Sequence, residues 1–234
     1  MKKKLVVLSG PSCVGKGPLR KALRKYHPDI KYGELVLCNS RGPRLKLGTR
    51  AYEVTTYEVH GIDYYFLPRG LFEQLDRGRF IVANVRSDIQ AIDMMQVCEL
   101  LEEHNLVLAE VFHTLGKSLT EWAKSQMELD FEVRSVFLLP LSHKEIKEMA
   151  RKSNKKPEQV VYEVMKAKLE RRGEDPPKKI EERACSAFLE MQDAPCYTDC
   201  IVNHAGEDDR KEWSDPLGAE AQRVLYEFVN VLKS

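Results

Sequence analysis

Residues 5–19 constrain this chain more than any other stretch. Leu5-Val6-Val7-Leu8 is an apolar run of strand length. Ser9-Gly10-Pro11-Ser12-Cys13-Val14-Gly15-Lys16-Gly17-Pro18 follows as a glycine-flanked loop with one lysine. A helical pattern then begins, with Leu19, Ala22 and Leu23 on one face and Arg20, Lys21, Arg24 and Lys25 on the other. Strand, glycine loop, lysine and helix in that order is the context of a phosphate-binding loop. Gly10 and Gly15 let backbone N–H groups curl round an anion, and the helix N-terminus adds partial positive charge. Lys16 adds a mobile full charge. The usual pattern ends Gly-Lys-Ser/Thr, whereas Gly17 stands last here and Pro18 comes next. Proline suits a first helical turn but supplies no hydroxyl to phosphate or magnesium.

The strands and helices after that loop alternate. Leu35–Cys38 reads as a strand, Tyr57–Leu67 as a turn leading into one, and Leu71–Arg77 as a short helix. Phe80–Ala83 reads as a strand, Ile89–His104 as a helix, and Leu106–Val111 and Val136–Leu139 as buried strands. Ser142 with Glu145 is a capping box opening a helix. Helices resume near Glu158, near Ile180–Ala184 and over Ala219–Leu232, with a last strand at Ile201–Asn203. Leu45–Thr56 has no clear period. The alternation predicts an α/β fold built on a doubly wound parallel sheet.

Composition narrows the function classes. Thirty-seven basic and 36 acidic residues leave a formal net charge of +1, which gives no global reason to bind nucleic acid or an acidic membrane. Basic groups must therefore act in local clusters. No stretch is long and apolar enough to span a membrane, and the short run after Met1-Lys2-Lys3-Lys4 breaks too soon for a signal peptide. The six cysteines contain no Cys-x2-Cys pair, so reduced thiols in a cytoplasmic protein, with no metal centre, are expected. One local cluster stands out in Ser40-Arg41-Gly42-Pro43-Arg44: two arginines on a loop that cannot be helix, suited to clamp an anion.

Five blocks in order resemble the guanylate kinase family of nucleoside monophosphate kinases. Ser9–Gly17 resembles its phosphate loop, Ser40–Arg44 the segment holding the acceptor's phosphate, and Glu58–Phe66 the segment whose tyrosine, here Tyr64, touches that phosphate. Arg171-Arg172-Gly173 with Ile180 and Arg183 resembles the lid over ATP. Ile201-Val202-Asn203 resembles the last strand, whose asparagine lies near the adenine. The resemblance implies a single domain over residues 1–234. A P-loop core covers 1–32, 98–154 and 196–234, an acceptor-binding lobe 33–97 and a small helical lid 155–195. It implies ATP with Mg2+ and transfer to a small-molecule nucleotide, GMP the best single acceptor, by a monomer or homodimer. Lys16, Arg172 and Arg183 would be catalytic. Ser12, Cys13, Val14, Gly15, Lys16, Gly17, Pro18, Arg171 and Asn203 would hold ATP, and Ser40, Arg41, Arg44 and Tyr64 the acceptor.

The chain departs from the family's pattern in the base-reading positions. Val82 stands where the guanine-reading glutamate belongs, no tyrosine stands near Gln90, and the aspartate of the central strand falls on Ala109, with Glu110 adjacent. Extra residues sit between Arg44 and Glu58 and around Lys155–Met165. Selection of the base is therefore expected to be weak, at the level of shape, unless Glu58 or Asp88 takes the role. Two alternatives stay open: a kinase of another nucleotide or a phosphorylated sugar, and an inactive binding module of the same fold. Lys16, Arg172 and Arg183 argue for an enzyme, Pro18 against.

Overall fold

The structure, a computed structural model, describes residues 2–46, 56–126 and 130–234. Its centre is a parallel five-stranded sheet in the order β11-β10-β1-β9-β2. These strands are β1 (Lys3–Ser9), β2 (Gly33–Glu34), β9 (Leu106–Glu110), β10 (Phe131–Leu139) and β11 (Asp199–Val202). Alternation along β1 divides the core in two. Val6 and Leu8 pack with Leu19 and Leu23 of α1 (Lys16–Tyr26) and with Val224 and Phe228 of α7 (Ala219–Lys233). Leu5 and Val7 face the other way. They join an apolar cluster with α2 (Met94–Glu103), α3 (His113–Ser125), α5 (Pro157–Arg172) and α6 (Pro177–Met191). Helices on both faces of a parallel sheet are the doubly wound arrangement expected.

Residues 33–97 also carry a second, four-stranded sheet in the order β6-β3-β8-β7. Its strands are β3 (Cys38–Asn39), β6 (Tyr65–Phe66), β7 (Phe80–Val85) and β8 (Asp88–Asp93). Two short strands outside it, β4 (Leu45–Lys46) and β5 (Thr56–Tyr57), pair antiparallel. The expected insertion after Arg44 falls mostly on residues 47–55, outside the described residues. Helix α4 (His143–Ser153) starts on the capping box: Ser142 Oγ accepts from the Glu145 amide, and the Glu145 carboxylate accepts from the Ser142 amide.

Several expectations are corrected. Leu35–Cys38 is not one strand: β2 ends at Glu34 and belongs to the parallel sheet, while β3 starts at Cys38 in the other. The expected helix over Ile89–His104 is strand β8 followed by α2. Antiparallel pairing with β7 takes the first half, and the Asp93 side chain accepts from the Met95 amide to start the helix. The short helix expected over Leu71–Arg77 is instead a 3-10 turn over Arg69–Glu73. Helix α3 was not expected, because Gly116 and two threonines lower its helical propensity. Close packing requires that glycine: a Cβ there would stand 2.5 Å from the Tyr197 hydroxyl and 2.6 Å from Ser9 Oγ.

Candidate active site

An open cleft of about 200 Å3 lies between the phosphate loop, the four-stranded sheet and the ends of α5 and α6. Seven cations line it: Lys16, Arg41, Arg44, Arg86, Arg172, Lys179 and Arg183. Among the described residues three carboxylates do: Asp88, Glu110 and Glu207. In a chain of net charge +1, this local excess of positive charge gives the cleft a field that favours anions.

The phosphate loop joins β1 to α1. Gly15 has φ +97°, and a Cβ on it would stand 2.4 Å from Asn203 Nδ2; Gly10 has φ +145°, and its Cβ would stand 2.6 Å from the Leu138 carbonyl. Both glycines are therefore required by conformation and by space. Ser12, Cys13 and Lys16 line the cleft, while Val14 is buried in the α1–α7 core. Lys16 Nζ is folded back on its own loop, donating to the Gly10 carbonyl at 2.7 Å and the Pro11 carbonyl at 3.0 Å. Gly17 has open space where a side chain would stand, and Pro18 sits in the first turn of α1 without a hydroxyl.

Asn203 is placed differently from its expected position beside a base. It is fully buried; its Nδ2 donates to the Val14 carbonyl at 2.7 Å and its Oδ1 accepts from the Ala205 amide at 3.1 Å. It clasps the phosphate loop from behind. The nearby Cys13 thiol is pushed up to about 12 by burial and then by Glu207. At pH 8 its thiolate fraction is therefore on the order of 0.0001, and alkylation should be slow. Mass spectrometry after iodoacetamide treatment should find the exposed Cys185 and Cys196 modified first. Equal labelling of Cys13 in the folded protein would contradict this burial.

The four-stranded sheet carries the two arginines expected to clamp an anion, Arg41 and Arg44, and Tyr64 beside them. Arg41 is gripped by both oxygens of Glu58, at 2.5 and 2.8 Å, and lies over the Tyr64 ring at 4.9 Å. Arg44 stands at the mouth, its guanidinium pushed below the ordinary arginine value by desolvation and by Arg41. An arginine disfavoured in this way gains from an incoming anion. The Tyr64 phenol is pushed up by burial and so stays a protonated donor. Ser40 is not brought to the cleft wall: its Oγ accepts from the Ile89 amide at 2.8 Å, which ties the clamp loop to β8.

The third wall comes from α5 and α6. The Arg172 guanidinium meets Glu174 at 3.3 Å, Glu207 at 3.1 Å and the nearly buried Asp175. Arg183 reaches Asp175 at 3.3 Å and is pushed down to about 10, by burial first and by Arg44, Arg172 and Arg86 among its neighbours. Arg171 lies outside the cleft wall and pairs with Asp208 at 2.7 Å. Asp208 is also 3.6 Å from Lys168, a buried lysine whose ammonium donates to the His204 carbonyl.

Sequence reasoning missed Arg86, Ser87, Gln90, Phe112, Lys179 and Glu207 as wall residues. Arg86 sits at φ +57° in a two-residue hairpin that carries no Asn-Gly signal. Glu110 was noted only as a neighbour of Ala109; it lines the cleft and pairs with Arg20 at 3.0 Å. Val82 does not face the cleft. It packs with Cys38, Phe72 and Ala91 behind the four-stranded sheet, so it forms no wall against a base.

The model of the family described as guanylate kinase matches residues 2–171. The chain is 31% identical over 203 residues to a guanylate kinase of Trichormus variabilis, covering 86% of this chain and 82% of that one. It is 28% identical over 232 residues to a guanylate kinase of Clostridium perfringens, covering 98% and 89%. The crystal structure of guanylate kinase from Anaplasma phagocytophilum superposes with a TM-score of 0.55 at 18% identity, over 99% of this chain and 85% of that one, which establishes likeness of fold. No helix among the described residues is long and apolar enough to cross a membrane.

Proposed function

The chain belongs to the guanylate kinase family, and we propose that it transfers the γ-phosphoryl group of ATP to the phosphate of GMP. The observation that carries the reading is one cleft in which Lys16 of the phosphate loop, the clamp of Arg41, Arg44 and Tyr64, and the pair Arg172 and Arg183 share a wall. Phosphoryl transfer asks for in-line positioning and charge neutralisation rather than a covalent nucleophile, and this cleft is built from cations and donors.

In this reading the loop amides of residues 12–17 and Lys16 hold the donor's β-phosphate. Arg44 and Tyr64 receive the acceptor's phosphate, and Arg41 joins them by sharing or leaving Glu58. Arg172 and Arg183 then offset charge on the group in transit. Closure of residues 155–195 would exclude water and so limit hydrolysis of ATP. Magnesium, when bound, would supply further neutralisation on the phosphates. The chain's own residues do not fit a protein-held ion. Gly17 and Pro18 bear no oxygen on their side chains, and no group of three or more His, Cys, Asp or Glu suited to a metal stands among the described residues. Such an ion would come with the nucleotide and its waters.

The test is a coupled ATP-to-ADP assay over GMP, AMP, IMP, CMP, UMP and sugar phosphates. GMP-dependent ADP release with stoichiometric GDP is expected. Turnover confined to a sugar phosphate, or none with any acceptor, would overturn the reading.

A further inference from the structure

The β7–β8 hairpin has two distinct faces, and the polar end of one opens on the cleft. In the antiparallel register Phe80 pairs with Asp93, Val82 with Ala91, Ala83 with Gln90 and Val85 with Asp88. Phe80, Val82, Ile89 and Ala91 pack behind the sheet with Cys38 and Phe72. Ile81, Ala83, Val85 and Ile92 belong to the main core on the opposite face. Side chains two apart on a strand share a face, so Gln90 and Asp88 continue the Ile92 row outward into the cleft. Both line the cleft beside Arg41 and Arg44, and the side chain of neither has a hydrogen-bond partner among the described residues. Glu58, the other candidate carboxylate, is committed: it grips Arg41 with both oxygens and accepts from the Arg44 amide at 2.8 Å.

The geometry points to Asp88 and Gln90 as the pair that selects the acceptor's base, a role that rests on the proposed kinase reading. A carboxylate followed two residues later by a carboxamide, on one strand face, matches the outer edge of guanine. That edge offers two adjacent N–H donors, at N1 and N2, and then the O6 acceptor. Asp88 accepts the two donors, and a Gln90 N–H donates to O6. Adenine turns the bare N1 lone pair at the carboxylate and is repelled. Hypoxanthine keeps N1–H and O6 but lacks the amino group, and forfeits one bond. The pair thereby supplies polar recognition that Val82, on the wrong face, cannot. Base selection is then set by hydrogen bonds rather than by shape alone.

A rival role for Asp88 is to act only through the charge of Arg41, which feels it. The two roles separate on the bench. Asp88→Asn and Gln90→Leu are assayed with GMP, IMP, AMP and CMP beside the parent protein, with ATP KM and melting temperature as controls. Base reading lowers kcat/KM for GMP about 10- to 100-fold in Asp88→Asn, narrows the GMP-to-IMP ratio, and moves CMP less than about threefold. Gln90→Leu lowers GMP and IMP alike, because both carry O6. A uniform fall over all acceptors in Asp88→Asn, or GMP unchanged in both variants, would overturn the assignment while leaving the kinase standing. Failure of the parent protein to phosphorylate any nucleoside monophosphate would overturn the kinase reading, and this one with it.

Discussion

Lys16→Ala is expected to lower kcat about 100- to 1,000-fold, with the acceptor KM nearly fixed and the melting temperature little changed. Lys16 is the only full positive charge that the phosphate loop itself supplies. Its ammonium now rests on the Gly10 and Pro11 carbonyls, both part of the same loop. Those two bonds close a short ring and hold no distant elements together, so their loss scarcely touches the fold. An incoming β-phosphate offers the ammonium an anionic acceptor in place of two neutral carbonyls, adding ion–ion attraction to the hydrogen bond. In the proposed reaction the lysine would leave this resting place for the nucleotide's phosphate. Lys16→Met, which keeps the stem, separates packing from charge and should be as inactive as Lys16→Ala. Single-turnover rates at saturating ATP are the measurement. Retention of more than about a third of the parent rate would remove Lys16 from the mechanism.

Elements specified by local chemistry were legible in the sequence. The phosphate loop needs two glycines and a lysine at fixed offsets, and the capping box needs Ser142 and Glu145 three apart; both stand as expected. What tertiary contact decides was hidden. Ile89, Ile92 and Val97 can be placed on one helical face, yet pairing with β7 makes the first part a strand. Asn203 carries no local sign that it will brace the Val14 carbonyl, 189 residues away in sequence. The side of a strand that Val82 occupies depends on register, and register is set by the Arg86-Ser87 hairpin, whose sequence does not announce a turn. The same shift of face that removes Val82 brings Asp88 and Gln90 forward. Of the carboxylates around Arg172, Glu174 and Asp175 follow it within three residues, whereas Glu207 lies on a distant segment that meets it only in the fold and was hidden.

Those carboxylates shape the second large effect, at Arg172. The arginine now sits among Glu174, Asp175 and Glu207, three anions of the chain itself. They occupy the guanidinium as phosphate oxygens would, and keep it charged and oriented in a nearly enclosed place. A transferring phosphoryl group, spread over three equatorial oxygens, would compete with them only as its charge develops on closure. Arg172→Ala is therefore expected to lower kcat about 100- to 1,000-fold while acceptor KM moves less than about threefold. Some loss of melting temperature should accompany it, because Glu207 loses its partner, although Asp175 keeps Arg183. Arg172→Lys keeps the charge but not the planar fork, and should restore the melting temperature more fully than the rate. Glu207→Gln supplies the opposite change: it frees one arm of Arg172 without removing the guanidinium, so kcat should hold or rise. Arg183, lowered to about 10, stays protonated through neutral pH, and the rate should fall as pH climbs toward that value. A pure KM effect in Arg172→Ala with kcat intact would place Arg172 in substrate binding instead, and a matched fall of rate and melting temperature in Arg172→Lys would make its role one of structure.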